Sequence, residues 1–356
     1  MIRVLIVEDT PTARELLVRV FGTDPEIELA GVARNGLEAV EMARERRPDV
    51  VTMDIHMPKM NGVEATREIM QTCPVPIVIV SGSLDQTEAR GAFEAMEAGA
   101  LAVIERPVGV SHSGFKAEAE ELIRTVKLMS EVKVVRRWNA SRLSGAAAPG
   151  AASQVLRARS PRVQLVAIGA STGGPVVIET ILLNLPRSFP VPILVVQHMA
   201  TGFVQGFVEW LGHSTGFSVH VAAHGELPRG GHAYVAPDGY HLGVAPDGCL
   251  TLSNLPAEYG LRPSISYLFR TVSQAYGERA IGILLTGMGK DGARELKLMN
   301  DRGAITFAQD KESSVVHGMP GEAIRAGAAT YVLPPLKIAE MLAGLACGGV
   351  EAAGGK

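Results

Sequence analysis

The chain has 356 residues, 47% of them hydrophobic and 20% charged, with a formal net charge of −3. That length predicts roughly two domains, and the near-neutral balance excludes the concentrated basic face of a nucleic-acid binder. No apolar run approaches the ~18 residues of a membrane span, and the apolar start Met1–Val7 runs straight into Glu8-Asp9, unlike a signal peptide. Cys73, Cys249 and Cys347 are scattered without metal-ligand spacing. A cytoplasmic location, without membrane insertion, is the expectation.

From Met1 to about Pro107, apolar runs alternate with helical patterns, as βα repeats do. Strands are predicted at Ile2–Val7, Ile27–Val32, Val50–Met53, Ile77–Val80 and Leu101–Ile104. Helices are predicted near Thr12–Phe21, Leu37–Arg46, Gly62–Gln71 and Gln86–Ala98, the last with a capping box at Asp85-Gln86-Thr87-Glu88. Nearly continuous apolar strands with helices between them predict a parallel sheet covered on both faces, whose ligands bind outside the carboxyl ends of the strands.

The residues at those ends are Glu8-Asp9, Asp54, Ser81-Gly82 and Arg106-Pro107. Converging carboxylates repel unless a hard dication neutralises them, and Mg²⁺ accepts one or two carboxylates together with phosphate oxygens. Glu8, Asp9 and Asp54 are therefore the candidate Mg²⁺ ligands, and Asp54 the nucleophile towards a phosphoryl donor. Ser81 would hydrogen-bond the transferred group and Arg106 offset its charge. Taken singly, an acid in such a place more commonly just caps the helix that follows.

With Val7-Glu8-Asp9, the run Met53-Asp54-Ile55-His56-Met57-Pro58-Lys59-Met60-Asn61-Gly62, Val80-Ser81-Gly82 and the proline after strand five, this segment resembles the receiver domain of two-component response regulators. The resemblance implies a flavodoxin-like domain with a five-stranded parallel sheet over 1–115, phosphorylated at Asp54 by a histidine kinase. The family carries Lys where this chain has Arg106, whose planar fork is not equivalent to an ammonium.

Lys116–Val135 is dense in Glu and Lys and reads as a helix leaving the receiver. Asn139–Arg162 is Ala, Gly, Ser and Arg without hydrophobic periodicity, which predicts a mobile stretch. The expected linker is thus 116–161, helical and then flexible, and the Gly- and Ala-rich tail 348–356 is expected to fray.

The second domain, 162–347, opens on the apolar run Val163–Ile168, followed by Gly169-Ala170-Ser171-Thr172-Gly173-Gly174 and a helix opened by Pro175. The turn fits Gly-x-Ser-x-Gly, an elbow that exposes a serine Oγ at the carboxyl edge of a sheet; Gly-rich turns also cradle phosphates, or merely turn. Val191–Gln197 is a strand ending in His198-Met199, with a helix near Phe203–Leu211. Shorter strands follow at Phe217–Ala223, Ala233–Ala236, Leu242–Ala245 and Cys249–Leu252, the last pair joined as a hairpin through Asp247-Gly248. Pro263–Ala275 is helical, Ala280–Leu285 a strand, and Thr286-Gly287-Met288-Gly289-Lys290-Asp291-Gly292 a second Gly-rich turn opening a helix. Ala304–Ala308, Ala329–Leu333 and a helix near Leu336–Leu345 complete the alternation.

Three strand ends thus lead to Ser171, His198 and Asp291. Acyl transfer needs this set, because a hydroxyl is a poor nucleophile until a base takes its proton and a carboxylate fixes the imidazole. The N–H groups of Thr172 and of the turn around Met288 are the candidate oxyanion donors. Alternatively Ser171 and Asp291 cap the helices that follow them and His198 is structural. His220 and His224 have a metal-like spacing, but within a predicted strand and its exit and without a third ligand, so no metal is expected there. The order Ser, His, Asp also departs from that of α/β-hydrolases.

Together with Val196-Gln197-His198-Met199, Tyr234-Val235-Ala236-Pro237, Arg262-Pro263-Ser264 and Val315-Val316-His317-Gly318-Met319-Pro320, the two Gly-rich turns make this half resemble the catalytic domain of CheB, the chemotaxis protein-glutamate methylesterases. The resemblance implies a Rossmann-like α/β/α esterase domain with a mostly parallel sheet and a β-hairpin, so that both domains are doubly wound. By it, Ser171 is the nucleophile, His198 the general base and Asp291 its orienting acid, with the Thr172 and Met288 backbone facing the oxyanion. It implies hydrolysis of glutamyl γ-methyl esters on methyl-accepting chemotaxis receptors and deamidation of receptor glutamines, with no cofactor for the esterase and Mg²⁺ for the receiver. The competing reading is a non-enzymatic receptor-binding module. A nucleotide-binding output lacks the P-loop Lys and the dinucleotide spacing, and a DNA-binding output lacks a basic recognition helix.

Overall fold

The computed structural model describes residues 1–82, 86–109, 112, 114–132, 134 and 163–347. They fall into two compact units, Met1–Ser144 and Gly145–Lys356. Among the described residues no helix is long and apolar enough to cross a membrane.

The first unit alternates β1 (Ile2–Val7), α1 (Pro11–Phe21), β2 (Ile27–Ala33), α2 (Gly36–Arg46), β3 (Val50–Met53), α3 (Gly62–Thr72), β4 (Ile77–Ser81), α4 (Gln86–Ala98), β5 (Ala102–Glu105) and α5 (Phe115–Ser130). Its five strands lie in the order β2-β1-β3-β4-β5, and every pairing is parallel. β3 and β4 are buried throughout, so both faces of the sheet are covered, as their unbroken apolar runs require. The chain leaves β1 in one direction to β2 and returns past it to β3, which opens a crevice at the carboxyl ends of β1 and β3. Sequence and structure agree on these elements to within a residue or two. The expected capping box at the start of α4 lies outside the described residues.

One expectation is corrected. The Glu- and Lys-dense helix does not leave this unit but packs back on it as α5. Leu122, Val126 and Met129, a stripe at i, i+4 and i+7, are fully buried. Lys127 Nζ lies 2.8 Å from Asp24 Oδ2 and also pairs with Glu26. The charged residues that suggested a linker are the solvated face of a docked helix. Residues 139–162 and the tail lie outside the described residues.

In the second unit seven strands form one sheet in the order β14-β13-β12-β6-β7-β9-β8, again parallel at every pairing. The strands are β6 (Leu165–Ala170), β7 (Ile193–Gln197), β8 (Ser218–Val221), β9 (His232–Val235), β12 (Ala280–Leu284), β13 (Ile305–Gln309) and β14 (Tyr331–Leu333). β10 (His241–Val244) and β11 (Leu250–Ser253) form the expected antiparallel hairpin through Gly248, at φ 89. Its Leu242 and Leu250 join the core beneath the helix Ile265–Tyr276, together with Phe269 and Tyr234. A short helix, Met319–Arg325, was not expected, because its Met-Pro-Gly start carries no apolar periodicity. β6, the first strand, has β7 on one side and β12 on the other. The switch point of this sheet is therefore β6, and the carboxyl ends of β12, β6 and β7 meet there.

Candidate active site

Ser171 follows the fully buried β6. Its N–H donates to Thr286 O at 3.0 Å, and its carbonyl accepts the Gly174 N–H at 2.8 Å. The helix Gly174–Leu183 is capped not by Ser171 but by Gly173, at φ 78, without a side-chain hydrogen bond. Among the described residues the Ser171 hydroxyl has no hydrogen-bond partner, so its capping role is set aside. A Cβ at Gly287 would lie 2.6 Å from Ser171 Cβ, so only glycine lets the turn after β12 come this close to the serine. Thr286 Oγ1 donates to Thr172 O at 2.9 Å and joins the two turns. The N–H groups of Thr172 and Met288 are not hydrogen-bonded among the described residues.

His198 follows β7, and its N–H donates to Ala170 O at 3.0 Å, which fixes it beside the serine turn. Its Nε2 lies 3.0 Å from Asp291 Oδ2. An ionised carboxylate only accepts, so Nε2 carries the proton and Nδ1 is the nitrogen left for a reacting group. No hydrogen bond joins His198 to Ser171 Oγ in this structure, as is common before substrate tightens a site.

Asp291 is 2% exposed. Oδ2 also accepts the Ile265 N–H at 2.8 Å, while Oδ1 accepts Ser264 Oγ at 3.0 Å and the Ser266 N–H at 2.9 Å. The carboxylate therefore does not cap the helix that follows it. It caps a different one, Ile265–Tyr276, whose terminal N–H groups and dipole favour an anion. Burial alone would raise its pKa, but the hydrogen bonds and charge of His198, with those of Ser266 and Ile265, lower it from 3.8 to about 2.

His224 and His220 do not join. His224 Nδ1 accepts the Leu252 N–H at 3.1 Å, whereas His220 pairs with His232, ring nitrogens 2.8 Å apart.

In the first unit the carboxylate oxygens of Glu8, Asp9 and Asp54 lie within 4.8 Å of one another. Glu8 and Asp54 are buried, at 1% and 7% exposure. Three carboxylates this close, two of them buried, suit a small hard dication. Asp54 Oδ1 accepts the Ile55 N–H at 2.8 Å, and a Cβ at Gly62 would stand 2.0 Å from Asp54 O, so the turn carrying Asp54 closes only with glycine. Ser81 is fully buried, and its carbonyl accepts the Arg106 N–H at 2.8 Å. The Arg106 guanidinium passes over Gly82 and places Nη1 2.9 Å from Glu8 Oε2. It thus sits on one of the three carboxylates.

A CheB methylesterase model matches residues 166–342, and a response regulator receiver domain model matches residues 4–112. A protein-glutamate methylesterase/protein-glutamine glutaminase of Nitrosospira multiformis is 56% identical over 97% of both chains. One bearing the same name from Methanospirillum hungatei is 44% identical over 97% of this chain and 98% of its own. The chain belongs to the CheB methylesterase family. The crystal structure of the Thermotoga maritima CheB methylesterase catalytic domain covers 51% of this CheB-family chain and 98% of its own, with 39% identity and a TM-score of 0.50. The CheB-family chain is accordingly an enzyme, an ester hydrolase with a response regulator receiver domain in front.

Gln197, quoted in the sequence only as a neighbour of His198, does more in this CheB-family structure. Its Nε2 donates to both Ser171 O and His198 O, each at 2.8 Å, so one buried amide pins both turns. Among the described residues its Oε1 is buried without a hydrogen-bond partner, which costs about 1–3 kcal/mol. Gln197→Leu removes the orphaned oxygen and the two bonds together. It is expected to leave the unfolding temperature within a few degrees but to lower kcat roughly 10²-fold through misplacement, KM changing less; steady-state kinetics beside thermal unfolding check this. Only the fold brings the two carbonyls to one side chain, so the sequence carried no signal for it.

Proposed function

We propose that this chain is a phosphorylation-regulated protein-glutamate methylesterase, acting on methyl-accepting chemotaxis receptors by a Ser-His-Asp mechanism and also deamidating receptor glutamines. The observation that carries the reading is the His198–Asp291 contact of 3.0 Å beside the turn that presents Ser171. Ser171 Oγ attacks the γ-carbonyl carbon of the ester while His198 Nδ1 takes the hydroxyl proton. The negative charge on the carbonyl oxygen is met by the N–H groups of Thr172 and Met288. As the C–O bond to the methoxy group breaks, His198 returns the proton and methanol leaves. Water, deprotonated by the same imidazole, then attacks the acyl-enzyme and restores Ser171. With a glutamine side chain the leaving group is ammonia. Throughout, Asp291 holds Nε2–H and offsets the imidazolium charge. The two names carried by the relatives are the two leaving groups of one acyl-transfer site.

The first unit is the regulatory half of the same reading. Glu8, Asp9 and Asp54 would hold Mg²⁺, which when bound would neutralise charge on a transferring phosphoryl group. Asp54 accepts that group from a partner histidine kinase, Ser81 hydrogen-bonds it, and Arg106 leaves Glu8 to meet its charge.

Methanol release from methylated receptor membranes tests both halves. A small phosphodonor with Mg²⁺ is expected to stimulate the wild type several-fold, and neither Asp54→Asn nor wild type in EDTA is expected to respond. No release from wild type on verified substrate overturns the esterase reading. Release indifferent to phosphodonor overturns only the regulatory half.

A further inference from the structure

Next to Lys290, the residue before Asp291, lies a turn with a strained tyrosine at its tip. Tyr259 and Gly260 both have positive φ, 54 and 79, and the turn is closed by the Glu258 N–H to Leu261 O at 3.1 Å and the Leu261 N–H to Glu258 O at 2.9 Å. Two central residues at positive φ make a primed hairpin turn, for which Asn-Gly is the favoured pair. Tyrosine is poorly suited to its first position, because Cβ crowds the backbone there. Burial does not offset this strain, since the residue is 49% exposed. It lies instead with its face 5.7 Å from Lys290 Nζ, and Lys290 immediately precedes Asp291. Strain kept on an exposed aromatic beside a site points to binding.

The turn is also held rigidly. Arg270 pairs with Glu258 and lies 3.9 Å from Glu295, and Glu295 accepts Ser266 Oγ at 2.7 Å. The same Ser266 gives its N–H to Asp291. Tyr259 is therefore fixed to the helix that positions the carboxylate.

Charge selects the partner. Across 254–263 and 286–294, the two acids are Glu258, paired with Arg270, and Asp291, buried against His198. The remaining charges, Arg262, Lys290 and Arg294, are all positive and all exposed, on a chain whose net charge is −3. Leu255, 55% exposed, adds an apolar contact.

We infer that Tyr259, Lys290 and Arg262 form the docking surface for a glutamate-bearing protein surface, that is, for the carboxylates and aliphatic stems flanking the esterified residue. The inference rests on the esterase reading and names how its substrate is held.

The test is methanol release from methylated receptor membranes by the full chain over a salt series, for wild type, Tyr259→Asn and Lys290→Glu. Asparagine suits the turn, so the first variant removes the ring without cost to folding. Each variant is expected to raise KM roughly tenfold, and Lys290→Glu to flatten the rise of KM with salt. Labelling of Ser171 by a small phosphonate monitors the site without docking. Wild-type KM and salt dependence in both variants overturn the proposal, and so does a loss of labelling parallel to the loss of turnover, which places the defect in the site. An inactive wild type overturns the esterase reading as well, and is seen before any variant is compared.

Discussion

Ser171→Ala is expected to lower methanol release from methylated receptor membranes by at least ~10³-fold, with no loss of stability. The size follows from the way a nucleophile, its base and its orienting acid act together: once one is gone the others have nothing to activate, and only the oxyanion donors and binding remain. Stability is spared because the hydroxyl has no hydrogen-bond partner among the described residues, while the backbone bonds of Ser171 to Thr286, Gly174 and Gln197 do not depend on its side chain. Thermal unfolding beside the rate assay checks both statements. A rate within tenfold of wild type would remove Ser171 from the mechanism.

Asp291→Asn is expected to act on rate and stability together. The carboxylate accepts four hydrogen bonds, from His198, Ile265, Ser264 and Ser266. An amide must turn its NH₂ towards one pair of these groups. Facing His198, it forces the imidazole into the other tautomer and leaves no basic nitrogen for Ser171, a loss of roughly 10³–10⁴-fold in kcat. Facing Ser264 and Ser266, it opposes a buried N–H, at a cost of about 1–3 kcal/mol. The pH dependence carries its own signature. The carboxyl pKa is lowered in the folded protein from 3.8 to about 2, so the ionised group stabilises the fold above pH ~4, and that stabilisation is lost as the pH falls through about 2. It amounts to about 2 kcal/mol, and Asp291→Asn should lack it. Unfolding midpoints of wild type and variant between pH 5 and 2 are expected to converge on acidification; parallel curves would contradict the assignment.

Much of this fold was legible because parallel sheets buried on both faces leave nearly continuous apolar runs, and β1, β3, β6, β7 and β12 are largely apolar. What escaped the sequence depends on contacts between distant segments. α5 reads as a linker until Leu122, Val126 and Met129 are seen to face a core. The insertion of β9 between β7 and β8 follows from packing, since adjacency in sequence predicts the opposite order. Ser171, His198 and Asp291 were legible as polar residues in the turns that follow β6, β7 and β12. The shell that gives Asp291 its low pKa was not, because Ser264, Ile265 and Ser266 reach it from a helix start 25–27 residues away. The strain at Tyr259 was hidden for a related reason: a Tyr-Gly pair has no turn signature until φ is known.

The position of β6 between β7 and β12 also dictates when in synthesis the site comes into being. His198 meets Asp291 across 93 residues, and β12 supplies the second hydrogen-bonded neighbour of the strand that ends at the serine. A nascent chain that has passed Gln197 but not Leu284 holds a serine and an imidazole on a half-paired strand, with neither the carboxylate nor the Met288 turn. Non-local pairing of this kind forms late and slowly. Until that sheet is nearly complete the growing polypeptide lacks both the His198–Asp291 contact and the turn that follows β12.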